Sequence, residues 1–217
     1  MFGPSLQYRV DERASVDGAE NLELATDAGS IRCRLHAAPE GNAGIVWVFG
    51  AGGGWGGPAG GIYERLARVL QPEGITSLQV AYRQPANMRP CVEDTLTGAA
   101  FLESRGSHRV ALVGHSFGGA VVINAGSLDR HVIAVASLSS QSHRVEGLRR
   151  LSPRPLLLAH GEDDEVLPAS CSVSMFKAAK DPKQLILYPG CRHGLDQCRD
   201  ELDRDLSNWL LRIFELG

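Results

Sequence analysis

Gly114-His115-Ser116-Phe117-Gly118 stands between a short apolar run, VALVG, and a stretch of helical pattern. A serine hydroxyl is a poor nucleophile unaided, and a sharp strand-to-helix turn flanked by glycines presents one openly. The same turn sets Ser116 at a helix N-terminus, where backbone amides and the helix dipole favour developing negative charge. The competing reading is a capping serine in a glycine-rich turn. The bare G-x-S-x-G string is weak, and its place after a strand and before a helix carries the argument.

Such a serine needs a base, and the base needs an orienting acid. Of seven histidines, His193 lies in Pro189-Gly190-Cys191-Arg192-His193-Gly194, directly after the apolar run QLILY. The run PLLLAH leads into Glu162-Asp163-Asp164-Glu165-Val166-Leu167-Pro168. Glu162 and Glu165 read as solvated loop residues. One of Asp163 and Asp164 reads as the buried orienting acid, and spacing does not choose between them. The glycine-rich loop Gly50–Gly57 follows IVWVFG. It lacks both a G-x-x-x-x-G-K-[ST] pattern and a full dinucleotide fingerprint, so it reads as a loop whose amides approach an oxyanion. Cys191, His193 and Cys198 fit no zinc spacing, and no metal or organic cofactor is expected. Trp55, His115, Met88, Gln141, Leu167 and Leu195 are candidates for lining a substrate pocket, with packing as the competing role. Tyr82-Arg83 closes a strand and is expected to make a structural contact.

The elements that must position these residues follow from periodicity. Residues 1–20 are polar and aperiodic, an N-terminal arm or a first edge strand. NLELAT and IRCRLHAA alternate around Asp27-Ala28-Gly29-Ser30, which predicts an antiparallel hairpin. From residue 45 short apolar strands (45–50, 75–82, 110–114, 132–138, 155–160, 184–188) alternate with helical patterns. Those helices are expected near 62–71, over 92–104 with Asp94 or the segment before it as the start signal, after Ser116, near 144–151, near 169–180 and over about 199–215. Leu202, Leu206, Trp209, Leu210 and Ile213 mark the face of the last. This pattern predicts an α/β fold: a mainly parallel central sheet after an antiparallel hairpin, with helices on both faces.

The chain has 217 residues, 43% hydrophobic and 22% charged, which is ordinary globular composition and suits one domain over 1–217. A formal net charge of −3 argues against a nucleic-acid surface. No apolar run is long enough to span a bilayer, and the N-terminus carries no signal-peptide pattern. The five cysteines, odd in number and scattered, do not read as a disulfide framework, so a reduced cytoplasmic chain is expected. The sequence assigns no oligomeric state.

The elbow G-H-S-F-G-G, the segment H-G-E-D-D-E-V-L-P and the segment P-G-C-R-H-G-L stand in an order that resembles the α/β-hydrolase family, over most of the chain. The resemblance implies Ser116 as nucleophile and His193 as base. The family's acid pattern, H-G-x-x-D-x-x-V/L-P, falls on Asp164 rather than Asp163. Its oxyanion amides fall on Phe117 and on Ala51, with Gly52 if the loop register is one residue later. Phe49-Gly50 stands where the family usually has His-Gly. About seventeen residues separate the strands at 132–138 and 155–160, which leaves no room for a cap domain. The compact outline resembles the dienelactone hydrolase and small carboxylesterase branches, and serine in place of the former's usual cysteine favours an esterase. The expectation is therefore a serine esterase acting on small to medium carboxylic esters. The alternatives are a thioesterase or acyltransferase, a lidless peptidase, or a binding module that kept the scaffold without turnover.

Overall fold

The computed structural model describes residues 8–16 and 18–215. Among the described residues nine strands form one sheet: β1 Arg9–Val16, β2 Ala19–Thr26, β3 Gly29–His36, β4 Ala43–Val48, β5 Ile75–Ala81, β6 Arg109–His115, β7 Val132–Leu138, β8 Leu156–Gly161 and β9 Lys183–Tyr188. Their order across the sheet is β1-β2-β3-β5-β4-β6-β7-β8-β9. β1, β2, β3 and β5 pair antiparallel, and everything from β5 to β9 is parallel. The expected hairpin is β2–β3, and residues 9–16 add an edge strand to it, while residues 1–7 of the expected arm lie outside the described residues.

Five α-helices among the described residues cover the sheet: α1 Pro58–Leu70, α2 Met88–Ser104, α3 Phe117–Leu128, α4 Ser170–Ala178 and α5 Arg199–Glu215. Strand residues alternate between two cores, as period-two geometry requires. Val46 and Val48 of β4 face the layer of α2, α3 and α4, whereas Ile45 and Trp47 face α1 and α5. The parallel strands read as continuous apolar runs because both of their faces are covered. This is the α/β-hydrolase fold, with no separate cap domain.

Two expected helices differ. Over 144–151 only a 3-10 turn forms, Leu148–Arg150. The Asn124 side chain binds the Arg144 carbonyl (2.7 Å) and the Gly147 amide (2.9 Å), which commits to α3 the backbone groups a helix would use there. α2 begins at Met88, before the expected 92, because Pro90 is tolerated in a first helical turn. Asp94 is no start signal. It is wholly buried and pairs with Arg83, whose amide also donates to it at 2.8 Å, and Arg83 reaches Thr26 Oγ1 at 3.0 Å, the structural contact expected of that residue.

Candidate active site

β6 runs to His115 and α3 starts at Phe117, so Ser116 alone makes the turn, with φ 57 and ψ −122. A non-glycine residue there costs about 1–3 kcal/mol and needs surroundings that enforce it. Those are the Ser116 amide donating to Leu138 C=O at 2.8 Å and the Gly119 amide donating to Ser116 C=O at 3.0 Å. The flanking glycines are steric requirements. A Cβ on Gly114 would run into the Gly118 carbonyl, and one on Gly118 into the Phe49 carbonyl oxygen.

His193 lies on the loop after β9. Its Nε2 is 3.1 Å from Ser116 Oγ, and its Nδ1 is 2.8 Å from Asp164 Oδ2. Because Asp164 can only accept at that distance, the proton sits on Nδ1, and Nε2 is free to accept from the serine hydroxyl. Asp164 Oδ1 accepts the amides of Val166 (2.9 Å) and Leu167 (2.7 Å). Burial opposes ionisation of this carboxyl, but the Leu167 amide, the His193 ring and the Val166 amide outweigh it and hold its pKa below the usual value. Of the two candidate acids, Asp164 is the one at His193. Asp163 is exposed, and its amide donates to Cys191 C=O at 3.0 Å. Glu162 and Glu165 are exposed as expected, although Glu165 also has a contact, its Oε2 lying 3.3 Å from the His193 amide nitrogen.

Two histidines beside this line were not assigned such contacts from sequence. His115 donates from Nε2 to His193 C=O at 2.9 Å, and its ring packs between Phe49 (centroids 5.6 Å apart) and His193 (4.9 Å). Phe49, where the family usually has histidine, thus supports the ring that supports His193. Burial pushes the pKa of His115 down to about 4, so its imidazole is neutral at ordinary pH. His160, the last-but-one residue of β8, has Nε2 3.0 Å from Asp164 Oδ2.

The glycine-rich loop closes the site from β4. Gly53 N–H donates to Gly50 C=O at 3.0 Å, and a Cβ on Gly50 would lie 3.4 Å from Ser116 Cβ, so this turn abuts the serine. Ala51 and Gly52 are exposed at its tip, and Phe117 begins α3, where an amide has no partner within the helix. Amides so placed can stabilise an oxyanion. Sequence reading missed what anchors the loop. Gly56 N–H donates to the buried Gln79 Oε1 at 2.9 Å, and Gln79 Nε2 donates to Glu64, which also meets buried His36. Residues 59–61 keep positive φ, so regular helix starts at Ile62, as the 62–71 pattern predicts.

The remaining pocket candidates scatter. Trp55 is half-buried under the Arg34 guanidinium, 5.2 Å from its ring centre. Met88 Sδ accepts from Asn124 at 3.5 Å, and Gln141 is buried and donates to His143 C=O at 3.0 Å. Leu167 is half-buried beside Asp164. Leu195 is enclosed in the core against α1 and α5, so it is packing rather than an open wall. Val166, next to Asp164, is an apolar side chain left 60% exposed.

Cys191 and Cys198 form a disulfide, contrary to the expectation of a reduced chain. Leu195 takes a left-handed turn (φ 59) and donates its amide to Arg192 C=O at 3.0 Å, which folds the two ends of the 191–198 loop together. Spacing in an odd, scattered set gives no sign of this. Among the described residues no group of three or more His, Cys, Asp or Glu is arranged to hold a metal ion, and no helix is long and apolar enough to cross a membrane.

The sequence profile of the dienelactone hydrolase family matches residues 54–207, well over half of the chain. The chain belongs to that family. Membership supports a hydrolase. This family member is 33% identical over 108 residues to the protein YfhR of Escherichia coli (strain K12), a match covering 39% of this chain and 38% of YfhR. Its fold is shared with Est1E from Butyrivibrio proteoclasticus (TM-score 0.77, 17% identity, 90% of this chain and 99% of that one). It is shared too with a dienelactone hydrolase from Anabaena variabilis (TM-score 0.74, 16% identity, 94% and 98%). A third likeness is XC6422 from Xanthomonas campestris, described as an α/β serine hydrolase without lid (TM-score 0.66, 17% identity, 94% and 96%).

Proposed function

We propose that this member of the dienelactone hydrolase family is a serine hydrolase that cleaves small to medium carboxylic esters through an acyl-enzyme intermediate. The observation that carries the reading is the unbroken line from Ser116 Oγ to His193 Nε2 (3.1 Å) and from His193 Nδ1 to Asp164 Oδ2 (2.8 Å). Ser116 Oγ attacks the ester carbonyl carbon as His193 Nε2 takes its proton, and Asp164 stabilises the imidazolium that forms. The amides of Phe117 and Ala51, or Gly52 one residue later, bind the developing oxyanion. His193 gives its proton to the departing alkoxide, then draws a proton from a water that attacks the acyl-serine, and the carboxylic acid leaves as Ser116 is reprotonated. No metal or organic cofactor enters these steps. The fold carries no separate cap domain, which suits a free small-molecule ester. Est1E has been solved with ferulic acid bound, and a carboxylic acid is the product class this mechanism releases.

The test is intact-protein mass after exposure to a fluorophosphonate, with peptide mapping of the adduct, beside ester turnover. One adduct on Ser116 is expected, and Ser116→Ala should lower turnover at least about a thousandfold. Near-normal turnover by Ser116→Ala would refute the reading. Absence of any adduct on folded protein would put the non-catalytic binding module in its place.

A further inference from the structure

A carboxylate needs one oxygen to orient an imidazole, yet four N–H groups stand about Asp164, three of them hydrogen-bonded to it. Oδ1 accepts the amides of Val166 and Leu167, and Oδ2 faces both His193 Nδ1 (2.8 Å) and His160 Nε2 (3.0 Å). The two amides on Oδ1 still leave the carboxylate free to pivot about that oxygen. The His160 N–H, hydrogen-bonded to Leu167 C=O at 2.9 Å, also stands 3.0 Å from Oδ2, where its positive hydrogen end opposes that pivot.

The His160 ring is fully buried. Its Nε2 also lies 2.9 Å from Leu167 C=O, so it faces two acceptors and must carry the proton. Its Nδ1 is 2.7 Å from Ser172 Oγ of α4, a residue that is itself fully buried. A neutral ring protonated on Nε2 accepts at Nδ1, so the Ser172 hydroxyl donates to it and locks the tautomer. Burial, the largest influence on His160, lowers its pKa and keeps the ring neutral.

We propose that His160, its tautomer locked by Ser172, is a positioning residue for the hydrolysis: it fixes the Asp164 carboxylate and, through it, the His193 ring. The inference rests on the reading of Ser116, His193 and Asp164 given above. It has an electrostatic side as well as a steric one. A neutral N–H on Oδ2 draws off part of the carboxylate's charge, so its loss leaves Asp164 a stronger partner for the protonated His193 ring. The other ionisable groups about the pair are His115 of β6, Glu165 of the acid loop and Arg192 beside His193, and all stay in place in the variants below.

The experiment compares the full chain with His160→Leu, His160→Gln and Ser172→Ala. The rate of fluorophosphonate attachment to Ser116 and the NMR titration of the His193 ring are followed from about pH 5 to about pH 9. His160→Leu should slow labelling about ten- to a hundredfold and move both the acid limb and the ring titration up by about one pH unit. His160→Gln, whose amide nitrogen can reach where Nε2 lies, should restore most of both. Ser172→Ala should fall between them. Wild-type labelling and titration in His160→Leu would overturn the proposal, and so would His160→Gln as impaired as His160→Leu, which would mean a space-filling role. If His160→Leu does not fold, an unmoved titration in Ser172→Ala overturns it. Should wild-type Ser116 not label at all, the esterase reading fails separately, and the His193 ring titration still decides the role of His160.

Discussion

Acidification turns the burial of His115 into a measurable loss of stability. In the unfolded chain this ring takes up its proton near the ordinary value of 6.5, whereas the folded protein refuses it until about 4, first because of burial and also because His193 lies against it. Between those values the unfolded state binds more protons than the folded one, so stability rises with pH and falls on acidification. Taking the pH from about 7.5 to about 4.5 leaves the unfolded ring almost wholly charged and the folded ring mostly neutral, a loss of roughly 2 to 3 kcal/mol from this one group. The clean measurement is a difference. His115→Gln keeps an amide that can donate to His193 C=O but does not titrate, and His160, buried in both proteins, cancels. Urea unfolding followed through the buried tryptophans Trp47 and Trp209 should give wild type a pH dependence steeper by that amount. Parallel curves for wild type and His115→Gln would show that His115 charges in the fold, and the neutral donor assigned to it would be wrong.

Asp164→Asn should lower ester turnover about ten-thousandfold, because an amide cannot hold the His193 tautomer, while Asp163→Asn stays within a few-fold; the reverse result, read by steady-state kinetics, would move the acid to Asp163. Removing the Cys191–Cys198 bond with the Cys191→Ser/Cys198→Ser pair should cost about 2 kcal/mol in denaturant unfolding and lower kcat several-fold with KM unchanged, and an unchanged kcat would mean the loop's hydrogen bonds suffice to hold His193. Gly118→Ala should lose roughly 1–3 kcal/mol, read by thermal unfolding, together with Ser116 labelling, since its methyl would meet the Phe49 carbonyl; wild-type labelling would show that the elbow gives way.

The strands were legible because parallel strands covered on both faces leave unbroken apolar runs, and the elbow and His193 because each directly follows such a run. What escaped depends on contacts between distant segments. The helix expected over 144–151 has the right periodicity, but Asn124, some twenty residues away, takes its backbone groups. Asp94 looks like a helix-start residue in sequence and is instead the buried partner of Arg83. His36, Glu64 and Gln79 sit on three separate elements, and only the folded sheet gathers them behind the glycine-rich loop. The disulfide closes a loop that turns through a left-handed leucine, a conformation that no residue pattern announces.

Alignment of Ser116 with His193 is a property of several elements at once. The serine comes from β6, the acid from the loop after β8 and the histidine from the loop after β9, and the order β6-β7-β8-β9 sets the outer two strands about 14 Å apart. The chain must therefore double back over β8 to bring His193 to Ser116. It leaves β9 by a turn in which Cys191 N–H donates to Tyr188 C=O at 3.3 Å. Above β8 the Asp163 amide catches Cys191 C=O, and Gly161 leaves room there that a Cβ would close. His115 of β6 then holds His193 C=O at 2.9 Å, and Ala59 at the head of α1 donates to Gly194 C=O at 2.6 Å. Each anchor belongs to a different element, so none duplicates another. All of them bear on where Nε2 stands relative to Oγ, so residues as distant in sequence as Ala59 and Gly161 share in setting the same 3.1 Å contact.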